Sequence, residues 1–327
     1  MRVHQNIIID GVDLGDRSSR KNSMFCNEGK WNTFIEPLLA SDCSELTFVE
    51  MGSNAGMFTA MATTKGFDKV IGIEMETHNC EASLKYRDSL GMDFKILNRT
   101  VGKDFVGTHK GGVAINPNDD NYQRFDFDEI PVADVTLLAN FHYHLDINSF
   151  LLYLDRLKYK TRYVIVVSAN VGKVHWKPYA DITSLRYYFK DWEEVRTIYP
   201  PDPAGDPHPR PMFGMLFESP LRRMRIADIQ TRGEMECDVE FMKNIDDVKD
   251  IRETAYYKNK AEMRSKWNQE TVDAFVNDKL KLLRDIKENG LKDPILVRSD
   301  GKLIDGGHRL LMQKVLGYKS IIVRRTL

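Results

Sequence analysis

Two acids bracket a glycine-rich turn in the stretch LTFVEMGSNAGMFTAMATTKGFDKVIGIEME, Leu46 to Glu76. Glu50 closes one apolar run, Gly52 and Gly56 come after it, and Glu74 closes the next apolar run, with Glu76 as a fallback two residues on. A turn leaving a parallel strand can bring backbone N–H groups and a helix start against a ligand, and glycines permit the tight turn and close approach. A pyrophosphate site would read G-x-G-x-x-G and use the helix N-terminus. Here the pattern is acid-x-G-x-x-x-G. A carboxylate in that place repels pyrophosphate but suits a ligand carrying an ammonium or sulfonium group, and Glu74 could accept both hydroxyls of a ribose. Further on, ANFHYHLD crowds Asn140, His142, Tyr143, His144 and Asp146 onto the end of another apolar run. Removing a proton from a hydroxyl needs a base, and histidine has the pKa for it. His142 is the first candidate and His144 the second, since residues two apart on an extended segment share a side. Either could instead be a hydrogen-bonded histidine near the surface.

The elements that must position these groups alternate. LTFVEM, KVIGIEM, FKILNRTV, ADVTLLANF and RYVIVVSA read as strands, separated by helices such as GMFTAMATTKG and CEASLKYRDSLG, which close on Gly66 and Gly91. Near-continuous apolar strands between helices predict a parallel sheet covered on both faces. WEEVRTIYP and MFGMLFES, joined by the proline-rich PDPAGDPHPRP, have no helix between them and should pair as an antiparallel hairpin at the sheet edge. Five parallel strands and the hairpin make a seven-stranded Rossmann-like α/β sheet with a C-terminal β-hairpin. Beyond Pro220 the chain becomes highly charged, then gives an amphipathic helix, QETVDAFVNDKLKLLRDIKENG, and short strand and helix runs to the end. Two domains are expected, residues 1–219 and residues 220–327, the second a small α+β unit.

The chain has 327 residues, 42% hydrophobic and 29% charged, with a formal net charge of −1. That suits a soluble globular protein and gives no global electrostatic footprint for nucleic acid or membrane. No run approaches the about 20 apolar residues of a membrane span, and the N-terminus lacks a signal-peptide pattern. Cys26, Cys43, Cys80 and Cys237 form no CxxC pair and have no histidine at ligand spacing, so free thiols, a cytoplasmic location and no metal site are expected.

With VEMGSNAG as first motif, GIE as ribose acid and seven strands closed by a hairpin, residues of about 30 to 219 resemble the class I S-adenosylmethionine-dependent methyltransferases. The resemblance implies that Glu50, Gly52, Asn54 and Gly56 cradle the methionine part of S-adenosyl-L-methionine and Glu74 its ribose. It also implies that the NRTV segment, with Thr100, flanks the adenine and that the end of the fourth strand, with Asn140, faces the transferred methyl. EGKWNTFIEPLL, GSNAGMF and DVTLLANFHYHL are similar to the subgroup that includes the tRNA wobble-uridine carboxymethyl-transferring enzymes. That likeness puts Lys30 and Trp31 in the cofactor or substrate pocket, with a Trp packed on the sheet as the alternative. SANVGKVHWKPY, with His175, and the edge loop, with His208 and Arg210, are the expected substrate walls. No DPPY-like tetrapeptide is present, which disfavours amino-group methylation on a DNA base.

NGLKDPILVRSDGKLIDGGHRLLMQKVLGYKSIIVRR resembles the ParB/sulfiredoxin-type fold, from Asn289 to Arg325. In that superfamily the glycine-basic turn binds nucleotide phosphates, which carries over to Asp305, Gly306, Gly307, His308 and Arg309. ATP or ADP with magnesium is the implied ligand. The turn has no cysteine, which argues against sulfinic-acid reduction, and a degenerate recognition or dimerisation module, giving a homodimer, is the plainer alternative. The expected function is methylation, on oxygen, of a small molecule, nucleotide-linked sugar or glycan end. A bifunctional kinase–methyltransferase is the alternative, and a tRNA- or DNA-modifying enzyme ranks third. Membrane insertion is not expected.

Overall fold

The computed structural model describes residues 5, 7–9, 12–13, 27–99, 130–142, 145, 147–169, 181–199, 212–231, 236–244, 247, 250–263 and 267–326. The chain divides into two compact units. One holds residues 1–129 and 133–220, the other Ile130–Val132 and Leu221–Leu327.

The first unit is a seven-stranded mixed α/β sheet. Its strands are β1 (Thr47–Met51), β2 (Lys69–Glu74), β3 (Lys95–Asn98), β4 (Ala133–Ala139), β5 (Thr161–Ala169), β6 (Glu193–Ile198) and β7 (Met212–Glu218). Their order across the sheet is β3-β2-β1-β4-β5-β7-β6. The first five run parallel, and β7 is antiparallel to both β5 and β6, as the apolar runs and the helix-free hairpin predict. Helices α1 (Met57–Lys65), α2 (Thr77–Leu90) and α3 (Ile147–Leu157) make the crossovers, and Gly66 and Gly91 close α1 and α2 in the left-handed conformation. Helix α4 (Ile182–Tyr188) was not expected. It is announced by DITS, in which Asp181 accepts the Ser184 N–H at 2.9 Å and caps the helix. Strand order reverses between β1 and β4, so the C-terminal ends of these strands flank the crevice where open α/β sheets bind ligands.

Ahead of β1, EGKWNTFIEPL winds as one α-helical turn, a π-helical turn over Trp31–Ile35 and a 3-10 turn. Trp31 is buried, stacked on Phe58 and edge-on to Phe48 at 6.4 Å. It packs as a core residue, the alternative given above; the large apolar area of an indole is worth most against other rings.

The second unit has a four-stranded mixed sheet of β8 (Arg222–Arg225), β9 (Ile295–Arg298), β10 (Leu303–Asp305) and β11 (Ser320–Thr326), in the order β8-β11-β9-β10. It carries α5 (Glu236–Lys243), α6 (Ala255–Met263), α7 (Gln269–Asn289) and α8 (Gly307–Val315). Of the stripe expected on α7, Val272, Val276, Leu280, Leu283 and Ile286 are buried in one core with Tyr256, Ile295 and Val323, while Phe275 is partly buried and packs against it; Val132 joins that core. Among the described residues, no helix is long and apolar enough to cross a membrane.

Candidate active site

The turn after β1 is stitched to β2. The Gly52 and Ser53 N–H groups both donate to the Ile73 carbonyl, at 2.8 and 3.0 Å. The turn can lie this close because Gly72 has no side chain: a Cβ there would sit 2.7 Å from Ser53 Oγ. Gly56 then adopts φ +80° and hands the chain to α1, and a Cβ on it would meet Ser83 Oγ of α2 at 2.0 Å. The chain therefore leaves β1 by a path that needs both glycine conformation and glycine size.

Glu74 reaches back across this turn. Its Oε2 accepts the Asn54 N–H at 2.7 Å and its Oε1 accepts the Glu76 N–H at 2.8 Å. A carboxylate has about four lone-pair sites, so each oxygen retains capacity for a hydroxyl donor. The acid at the end of β2 is both a brace for the glycine turn and an acceptor beside it.

Glu50 is almost completely buried. Thr59 of α1 donates its hydroxyl to Glu50 Oε2 at 2.6 Å, and Glu50 forms no ion pair among the described residues. Burial raises its pKa to about 8; the Thr59 hydrogen bonds oppose the rise and the charge of Glu74 adds to it. An acid in that state lacks a cation. Nearby, Asn54 stands at φ +50° with its Oδ1 buried and unpartnered among the described residues. Asn140, at the end of β4, is the other non-glycine residue with positive φ among those described, at +55°, and donates its N–H to the Val167 carbonyl at 2.8 Å. Left-handed asparagines thus follow both strands that flank the crevice. Phe141 follows, its ring 3.1 Å from where a Cβ on Gly52 would stand.

His142 is turned inward. It is fully buried, with Nε2 3.4 Å from Ser168 Oγ of β5 and its ring 5.8 Å from that of Phe150. The histidine expected as a base thus stands at the end of β4, buried against β5 rather than near the surface. Lys30 is half-buried at the end of its helical turn. Thr100, Tyr143, His144, Asp146, His175, His208 and Arg210 lie outside the described residues.

Three residues of this site escape sequence reasoning. Thr59 is nine positions from the acid it serves, Phe141 hides among more reactive neighbours, and Gln5 comes from the far N-terminus. Gln5 is buried, and its Oε1 accepts the Met57 N–H at 2.9 Å.

In the second unit, Gly306 takes φ +95° before α8, without a side-chain cap. Arg309 is engaged within its own unit. Its guanidinium donates to the Asp293 and Pro294 carbonyls at 3.2 Å and pairs with Asp305 at 2.8 Å. His308 Nε2 lies 3.3 Å from the hydroxyl of buried Tyr256. Among the described residues, no group of three or more acidic, histidine or cysteine side chains could hold a metal ion.

Scanned against protein-family models the chain matches none, and no curated protein matches it. Among solved structures it is similar to the PH0226 protein from Pyrococcus horikoshii OT3 (11% identity, TM-score 0.43, covering 62% of this chain and 96% of that one). It is also similar to a SAM-dependent methyltransferase from Aquifex aeolicus (13%, TM-score 0.39, 58% and 93%) and to the N-methyltransferase NodS from Bradyrhizobium japonicum WM9 (12%, TM-score 0.39, 56% and 91%). Likeness this distant leaves every residue's role to the chain's own geometry.

Proposed function

We propose that the chain is an S-adenosyl-L-methionine-dependent methyltransferase whose cofactor sits at the ends of β1, β2 and β4. The observation that carries this reading is Glu50: a buried acid without a cation among the described residues, beside the unpartnered Asn54 Oδ1, at the end of the sheet where a ligand can enter. Both groups suit an amino-acid ammonium, which brings one charge and three donors. Glu74, at the next strand end, suits ribose hydroxyls, and Gly52 and Gly56 leave the turn low enough for close approach. When bound, the cofactor supplies an electrophilic methyl group. The protein's part is to hold that group and exclude water, with Asn140 and Phe141 bordering it from β4.

The acceptor is a hydroxyl on a small molecule, a nucleotide-linked sugar or a glycan end, in keeping with a chain whose net charge is −1 and gives no polyanion footprint. For residues 220–327, in which we keep the ParB/sulfiredoxin-like resemblance, the plainer role is recognition or dimerisation. The engagement of Arg309 with its own unit favours that role over nucleotide binding. Magnesium-dependent ATP turnover would reverse that preference and bring forward the kinase–methyltransferase. The central reading is tested by calorimetry with S-adenosylmethionine and S-adenosylhomocysteine on the wild type and Glu50→Gln. Micromolar binding by the wild type, weakened about 10- to 100-fold in the variant, is expected. No binding of either ligand overturns it.

A further inference from the structure

We propose that Gln5 is a positioning residue for the cofactor turn, so that the N-terminal segment is a working part of the site; this rests on the methyltransferase reading. The reason begins with Gly56. It occupies the N-cap of α1, where Ser, Thr, Asp or Asn would ordinarily accept a first-turn N–H, but its φ of +80° and the 2.0 Å approach of Ser83 Oγ exclude any side chain. The same requirement that lets a ligand approach the turn leaves α1 with no cap of its own.

Gln5 supplies the missing acceptor from 52 residues away, through Oε1 to the Met57 N–H at 2.9 Å. The delivery is built rather than incidental. Gln5 is 5% exposed and Ile7 is 1% exposed, with Ile7 seated against Ala55 of the turn and Ala82 of α2. Just beyond, Ile8 and Ile9 pair antiparallel with Asp13 and Val12, which fixes the segment's course. The consequence reaches the acid directly. Met57 and Thr59 share the first turn of α1, and Thr59 is the residue whose hydroxyl holds Glu50. Gln5 thus acts through Met57 on Thr59, and through Thr59 on the carboxyl that meets the cofactor.

Two substitutions separate the acceptor from the packing. Gln5→Met keeps length and bulk without the carbonyl, whereas Gln5→Glu keeps an oxygen in reach of Met57. Amide hydrogen exchange at Met57 to Thr59 and calorimetry with S-adenosylmethionine are read on both variants and the wild type. In Gln5→Met, Met57 protection falls at least about fivefold and cofactor affinity about threefold to tenfold, the scale of one lost cap. In Gln5→Glu both stay within about twofold. Unchanged Met57 protection in Gln5→Met overturns the capping, and unchanged affinity overturns the positioning. If the wild type binds no S-adenosyl ligand, the methyltransferase reading and the cofactor clause fail together, while exchange at Met57 still judges the cap.

Discussion

Glu50 sets a pH dependence whose sign can be worked out. Its carboxyl is held up to about 8 in the ligand-free protein, so at pH 7 most molecules carry it protonated. A cationic ligand requires it ionised, and binding then releases a proton. Cofactor affinity should fall as pH drops below about 8, approaching tenfold per unit, and level off above it. Calorimetry in buffers of differing ionisation enthalpy counts that proton, and Glu50→Gln should flatten the profile. The same shift costs stability: a raised acid stabilises the fold fully only below its unfolded pKa, and that contribution is lost as pH rises towards the folded value. Glu50→Gln should therefore raise the melting temperature of the free protein at pH 8 and change it little at pH 4. His142, buried against Ser168 and Phe150, belongs to a different class. His142→Ala should destabilise by about 2–3 kcal/mol through lost packing and a stranded partner, measured by denaturant midpoint. Once an acceptor is known, the pH–rate profile of His142→Asn tests the histidine as base: loss of a limb of the profile supports that role, and an unchanged profile rules it out. Sequence showed the acids because type and spacing carry their chemistry. It could not show that His142 turns inward to Ser168, because that contact joins two residues 26 apart in the chain and leaves no local spacing to read.

Among the elements, the turn from β1 to α1 depends on one absent methyl. Gly56→Ala should cost about 2–4 kcal/mol, from strained φ and overpacking against Ser83 together. Gly56→Ala with Ser83→Ala should recover only the packing part; urea midpoints of the three proteins test this. The sheet was legible because each run is apolar throughout and glycines punctuate the helix ends. The short α4 was not, since its signal is a single Asp181–Ser184 cap. Strand β8, with the pattern RRMR, was hidden for the opposite reason: it pairs with β11 through its backbone, and its side chains give no apolar alternation to read. Gln5 left no trace, because a cap contributed from another part of the chain has no local spacing.

Across the whole molecule, charge is unevenly shared. Residues 1–220 carry 24 Lys and Arg against 30 Asp and Glu, while residues 221–327 carry 23 against 18. The near-zero total conceals an acidic part and a basic part. The second unit closes a core of its own around Tyr256, Leu283 and Val323, yet that core includes Val132, whose N–H donates to the Leu291 carbonyl. A fragment of residues 221–327 should melt well below the corresponding transition of the full chain, and Val132→Asp in the full chain should reproduce the loss. Calorimetric scans of the three proteins decide it.

The three residues Ile130–Val132 also constrain how this protein could have been assembled and how it can be taken apart. A module appended to a finished enzyme can be lost by a stop codon or split into a separate gene. Here a stretch encoded immediately before β4 completes the fold of residues 221–327, so a break after Pro220 leaves the downstream product short of its own interior. Removing residues 221–327 would likewise strip Val132 of the core it joins, leaving an apolar side chain at that position without its packing.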